Sequence, residues 1–183
     1  MFRVDVESLK DYLDFDLKRK SDLQNLDRLI RRSAPGLKRY FHRGTSAGQP
    51  GMRFKMIGYG KFQYLARTGQ SVDWPAVGVA LQKNYISVYL SVMNDGASLI
   101  QPYAGRLGEL RVGRNNFSFE KYEDLDVCAL ASLLRKPNRP SIWTSVVALL
   151  AMEARGRCEL FDRGALEFRA PYDNCGGRIE CSP

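Results

Sequence analysis

Histidine is almost missing from this chain: His42 is the single one in 183 residues. Zinc sites built on two or three histidines are thereby excluded, and no H-E-x-x-H helix occurs. A serine nucleophile would have to take His42 as its base, yet no G-x-S-x-G elbow is present. His42 itself stands just ahead of a turn-rich stretch and reads as a solvated surface residue. Long apolar runs are missing too. The longest, residues 142–152, is interrupted by Thr144 and Ser145 and falls well short of the roughly 20 residues a spanning helix needs. The opening Met1-Phe2-Arg3-Val4-Asp5 holds no apolar stretch of the signal-peptide kind, so the expectation is a cytoplasmic chain with no membrane association.

Cysteine is sparse. The four, at 128, 158, 175 and 181, make neither a C-x-x-C pair nor a dense disulfide framework, and reduced thiols are expected. Cys128 falls inside a helical pattern, where a small apolar packing residue is expected. Cys175 and Cys181 flank a glycine pair at a spacing that suits no metal knuckle and read as thiols in a loose tail. Phosphate-binding loops are also lacking. Gly58-Tyr59-Gly60-Lys61 has no third glycine for a dinucleotide fingerprint and neither the spacing nor the Ser/Thr of a Walker A loop. Two glycines so placed are expected to allow a bulge or a close approach within a strand. No catalytic residue, metal ligand or cofactor follows from any of these patterns.

What is present is an ordinary globular composition, 44% hydrophobic and 26% charged, enough for one domain with a core of its own and an appended segment. The net charge is +8, which favours anionic partners such as nucleic acid, phosphates or an acidic protein surface. The basic residues are scattered, however. Lys18-Arg19-Lys20 and Arg31-Arg32 stand close to Asp14, Asp16, Asp22 and Asp27. Nonspecific nucleic-acid binding therefore rests on charge alone, and solubility accounts for the same charge.

Val6, Leu9 and Leu13 stand at helical spacing over residues 4–13. Ser21 and Gln24 have the spacing of a capping box for a second helix, with Leu23, Leu26, Leu29 and Ile30 on one face and Pro35-Gly36 as its stop. Residues 44–51 (GTSAGQPG) read as a loop. From Arg53 the pattern turns to strand, rich in aromatic and aliphatic residues through Leu65. Val77, Val79 and Leu81, then Ile86, Val88, Leu90 and Val92, make two alternating runs joined by Gln82-Lys83-Asn84, which predicts an antiparallel hairpin. A short helix is expected over residues 97–103, ended by Pro102, and a strand over 110–119 with Phe117 and Phe119 on one face. Asp124 is expected to cap a helix carrying Leu125, Ala129, Leu133 and Leu134. Lys136-Pro137-Asn138-Arg139-Pro140 marks a boundary. Residues 1–136 are thus expected to form an α+β domain, and 137–183 an extension with one helix over 142–154 and an irregular tail.

Two residue groups could carry binding. Carboxylates crowd the first helix and its exit: Asp5, Glu7, Asp11, Asp14 and Asp16. Oxygen ligands suit hard cations, but Lys10, Lys18, Arg19 and Lys20 interleave with them, as on a salt-bridged solvated face. Aromatics and cations interleave through the sheet region: Tyr59, Lys61, Tyr64, Trp74, Lys83, Tyr85 and Tyr89. An open sheet face of that kind could stack a base or hold a small anionic ligand, although core aromatics account for most of it. Tyr59, Lys61, Trp74, Lys83 and Tyr85 are the candidate ligand-binding residues.

The middle of the chain resembles the YdhG-like family, a bacterial domain of unknown function. The resemblance is carried by Met56-Ile57-Gly58-Tyr59-Gly60-x-Phe62-x-Tyr64, Asp73-Trp74-Pro75, Val77-Gly78 and Gln82-Lys83-Asn84-Tyr85-Ile86-Ser87-Val88-Tyr89-Leu90. It continues through Leu107-Gly108, Val112-Gly113-Arg114 and Tyr122-Glu123-Asp124-Leu125-Asp126, and covers about residues 20–135. It implies an antiparallel sheet of about five strands flanked by helices, and no established reaction. One branch of the family is linked to frataxin-like iron delivery through acidic surface residues, which would fall here on Asp11, Asp14 and Asp16. This chain departs from that branch in being basic. The expected function is non-enzymatic binding of a small ligand, an anionic one included, or of a protein partner, with iron handling and nonspecific nucleic-acid binding as alternatives.

Overall fold

The computed structural model describes residues 2–65, 69–91, 93–94, 97–108, 110–113 and 115–136. The extension 137–183, with the helix expected over 142–154 and Cys175 and Cys181, lies outside the described residues, as do Val92 and the side chain of Tyr64. No helix among the described residues is long and apolar enough to cross a membrane.

The architecture is α+β. Six strands form one sheet in the order β1-β2-β3-β4-β8-β7, with every neighbouring pair antiparallel. They are β1 (Arg39–His42), β2 (Met56–Leu65), β3 (Ser71–Leu81), β4 (Ile86–Leu90), β7 (Arg111–Val112) and β8 (Asn116–Phe119). A two-stranded ribbon, β5 (Met93–Asn94) and β6 (Ala97–Ser98), stands apart from it. The helices are α1 (Leu9–Asp14), α2 (Lys20–Ser33) and α3 (Val127–Leu134).

Register aligns the apolar residues into rows. Phe41, Ile57, Val79, Val88, Phe117 and Val112 are successive partners across all six strands. Alternation along each strand puts this row on one face. Leu23, Leu26, Leu29 and Ile30 of α2, Tyr12 of α1 and Leu130, Leu133 and Leu134 of α3 pack against that face in a single core. Each fully buried aliphatic side chain contributes roughly 1.5–3 kcal/mol, so α2, with four of them, is the main cover of the sheet.

Two buried polar contacts tie helices to strands. The Tyr12 hydroxyl accepts the Leu81 N–H at 2.8 Å and donates to the Lys55 carbonyl at 3.2 Å. The Tyr59 hydroxyl donates to Asp27 Oδ1 at 2.7 Å, and Arg39 donates to Asp27 Oδ2 at 2.6 Å. Arg19 closes the far end: it bonds Asp16 through Nε at 2.8 Å and donates to the carbonyls of Tyr85 and Lys83 in the β3–β4 turn.

Several local expectations are corrected. The first helix begins at Leu9 with Ser8 as its cap, whose hydroxyl accepts the Asp11 N–H. The Ser21–Gln24 capping box does not form, because α2 already starts at Lys20 and its N-cap, Arg19, makes no side-chain cap bond. Residues 97–103 are not an α-helix. Ala97–Ser98 pair as β6, and Pro102 sits in the first turn of a short 3-10 helix, Gln101–Tyr103. The expected strand over 110–119 is a hairpin of two short strands, closed by Gly113 N–H donating to the Asn116 carbonyl at 2.7 Å. α3 is capped by Asp126, which accepts the Ala129 N–H, while Asp124 belongs to a 3-10 turn. Cys128 is exposed on α3 and disulfide-bonded, so neither the packing role nor the reduced thiol expected there holds. Strand β1 had no counterpart in the sequence reading.

Candidate functional site: a polar cleft at the β1 edge

On the sheet face opposite the helices the middle row is Tyr40, Gly58, Gly78, Tyr89 and Asn116, partners across five strands. The glycines leave room for larger neighbours. A Cβ at Gly58 would lie 2.5 Å from Cζ of Tyr40, so the Tyr40 ring lies directly across that glycine. Gly60, two residues on, has φ +65°, a conformation other residues adopt only at a cost. Strict alternation from buried Tyr59 would send Lys61 into the core. Instead the Lys61 ammonium stands 4.7 Å above the centre of the Tyr40 ring, on the outer face.

Strand β3 matches it: Ala76, which an added Cβ at Gly60 would meet at 3.4 Å, joins its neighbour Val77 in the core cluster. Beyond this point Lys61, Gln63, Ser71 and Asp73 line a cleft together with Tyr40 and His42 of β1 and Arg43, Thr45 and Gln49 of the following loop; its volume is ≈ 790 Å³. That lies within the range of small-molecule sites. The loop is folded back by the Met52 carbonyl, which accepts the Thr45 N–H at 2.8 Å and the His42 Nε2 at 3.1 Å. His42 is therefore a half-buried loop anchor, not a solvated residue.

The cleft's charges are Arg43 and Lys61 against Asp73. Gln63 Nε2 donates to Asp73 Oδ1 at 2.9 Å, and Lys61 Nζ stands 3.9 Å from Oδ2, beyond hydrogen-bond reach. Both ion-pair members are 55% exposed, so the pair itself contributes little. The Tyr40 hydroxyl and Thr45 Oγ1 are buried without a hydrogen-bond partner. Burial, and next the nearby Asp73 charge, push the Tyr40 hydroxyl up to about 12, so it stays protonated and a donor at neutral pH.

The five residues expected to share a ligand do not converge. Lys61 lines the cleft. Tyr59 is fully buried on the other side of the sheet, bound to Asp27. Trp74 is half-buried on β3, its Nε1 donating to Ser91 Oγ at 2.5 Å. Lys83 and Tyr85 stand in the β3–β4 turn, about 26 Å along β3 from Asp73 at ~3.3 Å per residue. There Tyr85 lines a second cleft of ≈ 620 Å³ with Arg111, Lys121, Glu120 and Asp124. The residues missed were Tyr40, Arg43, Thr45, Gln63 and Asp73. No periodic signal could have found them, since β1 has only four residues.

The acidic positions of the first helix are engaged. Asp11 accepts from Ser8 at 2.6 Å, Asp14 pairs with Lys20 at 2.8 Å and Lys10 at 3.6 Å, and Asp16 is held by Arg19. Among the described residues no group of three or more His, Cys, Asp or Glu is placed to hold a metal ion. Comparison with protein-family models, curated proteins and solved structures finds no match to this chain.

Proposed function

We propose that this chain is a YdhG-like domain whose work is to bind a small polar ligand, without catalysing a reaction, in the cleft between β1, β2, β3 and the loop that follows β1. The observation that carries this reading is the gathering of polar side chains from separate elements around one space of ligand size. Rigid strands set Tyr40, Lys61, Gln63 and Asp73, and a pinned loop supplies Arg43, Thr45 and Gln49. The groups there are arranged to hold and not to react. Lys61 rests over a ring, Asp73 is oriented by Gln63, and His42 donates to a backbone carbonyl. None forms a nucleophile–base pair of the kind acyl-transfer sites need.

Native mass spectrometry of the protein purified gently from its own host tests the reading. The expected result is a reproducible extra mass that Lys61→Gln removes while the variant stays folded. A clean apo mass, with no thermal stabilisation by any member of a broad small-molecule library, would sink it.

A further inference from the structure

We infer that the β1–β2–β3 cleft selects a small molecule bearing an oxyanion, phosphate or carboxylate, held by Lys61 and Arg43 and opposed by Asp73. This rests on the binding role proposed above and adds the chemical class of the ligand.

Lys61 is the centre of the argument. Its Nζ is fixed over the Tyr40 ring, and no carboxylate takes its protons at hydrogen-bond distance. An ammonium attracted to a ring face retains donors on its other sides. Arg43 faces the same space and has no carboxylate within ion-pair distance among the described residues. Glu7, the further negative charge it senses, is already bonded by Lys55 at 2.7 Å. Two cations therefore meet one carboxylate, one of whose oxygens already accepts from Gln63.

The walls add neutral donors. Thr45 Oγ1 and the Tyr40 hydroxyl are enclosed without partners, and a buried donor left so is costly. A ligand oxygen, or the small loop shift that admits it, would satisfy them. Charge-assisted bonds from ammonium and guanidinium to an oxyanion are shorter and stronger than neutral ones. The cleft at the β7–β8 end lacks this bias, because Glu120 and Asp124 face Arg111 and Lys121 there.

Asp73 is the specificity-determining residue in this arrangement. It repels an anion directly and competes for Lys61, so it excludes weakly held anions and admits those that also bind Arg43. Asp73→Asn keeps the acceptor for Gln63 and removes the charge. Affinity for an anion is then expected to rise about threefold, the size of effect that one solvent-exposed, screened charge has on a neighbour. A residue with only a structural role would not improve binding when replaced.

The test is a titration of the full chain followed by amide chemical shifts, at constant ionic strength, with inorganic phosphate, phenyl phosphate and the neutral counterpart phenol. The expected result is saturable shifts at Gly44, Thr45, Lys61 and Gln63 with both phosphates and none with phenol. Affinity should fall roughly tenfold in Lys61→Gln and rise in Asp73→Asn, both variants keeping dispersed spectra. Phosphate shifts that scatter over the basic surface without saturating, or an unchanged affinity in Lys61→Gln, would overturn the inference. Saturable phenol binding at the same residues without phosphate binding would overturn the oxyanion class and leave the binding role standing. No saturable shift with any probe would overturn both.

Discussion

The Tyr59 hydroxyl donates to the Asp27 carboxylate at 2.7 Å, joining the second residue of the Gly-Tyr-Gly segment in β2 to the middle of α2. Asp27 is 5% exposed and takes a second charge-assisted bond from Arg39 of β1. Burial first, and then the Asp27 charge and bond, raise the Tyr59 hydroxyl well above its ordinary value. It therefore remains a donor throughout the physiological range. One buried carboxylate thus locks α2, β2 and the edge strand β1 together.

Removing that donor leaves a buried charge short of a partner. Tyr59→Phe should lower unfolding stability by about 1.5–3 kcal/mol, the usual range for a bond to a charged group. Urea denaturation followed by circular dichroism measures this. A loss of under half a kcal/mol would mean that Arg39 satisfies Asp27 alone.

Tyr12 makes the corresponding contact at the other end of the core. Tyr12→Phe strands the buried Leu81 N–H and should cost about 1–3 kcal/mol. Hydrogen exchange adds a local readout: the Leu81 amide should lose protection more than its β3 neighbours. Uniform loss along β3 would contradict the assignment of the contact to that amide.

Gly60 is required twice over. Its φ of +65° suits glycine, and an added Cβ would stand 2.8 Å from Leu37 Cδ2. Gly60→Ala should therefore cost about 1–2 kcal/mol from backbone strain, with a further cost if Leu37 cannot shift. Because this residue turns Lys61 to the outer face, the variant should also weaken any ligand of the cleft. A stable Gly60→Ala protein with unchanged binding would show that Lys61 is oriented by other means.

Acid should loosen the N-terminal hook through Asp16. Burial opposes its ionisation, but the Arg19 guanidinium and the Lys18 and Arg19 amides more than offset this, so its carboxyl titrates below the ordinary 3.8. A depressed folded-state value contributes stability above the unfolded value and loses it as pH falls through the folded one. The wild type should lose stability below about pH 4, and Asp16→Asn should be less stable at pH 7 with a flatter acid limb. Parallel acid limbs in the two proteins would remove Asp16 from the linkage.

How much of this could be read from the residues differs from element to element. The β3–β4 hairpin was legible because Val77, Val79 and Leu81 alternate with small residues and meet Ile86, Val88 and Leu90 across a three-residue polar link plus Tyr85. α2 was legible from Leu23, Leu26, Leu29 and Ile30, all of which enter the core. Helix starts were not, because several Ser and Asp residues compete for each cap and packing decides among them. Ser8 prevailed over a start at Val4, and Asp126 over Asp124. The four residues of β1 are too few to show a period, and only pairing with β2 makes them a strand.

The ligand residues were legible least. Lys61 and Tyr59 are two positions apart, so a period-2 reading places them on one face, while the positive φ of Gly60 separates them. Lys83 and Tyr85 resemble Lys61 in composition but lie at the opposite end of an eleven-residue strand.

By itself, then, the sequence determined the α+β class, the main helix and the central hairpin. Hydrophobic periodicity is a local property, and burial of the apolar face follows from it. Tertiary structure alone decided that Tyr40, Arg43, Thr45, Lys61, Gln63 and Asp73 share one cleft. Their meeting depends on strand register, on a loop pinned at Met52 and on one glycine that reverses a strand's facing, and long-range pairing sets all three.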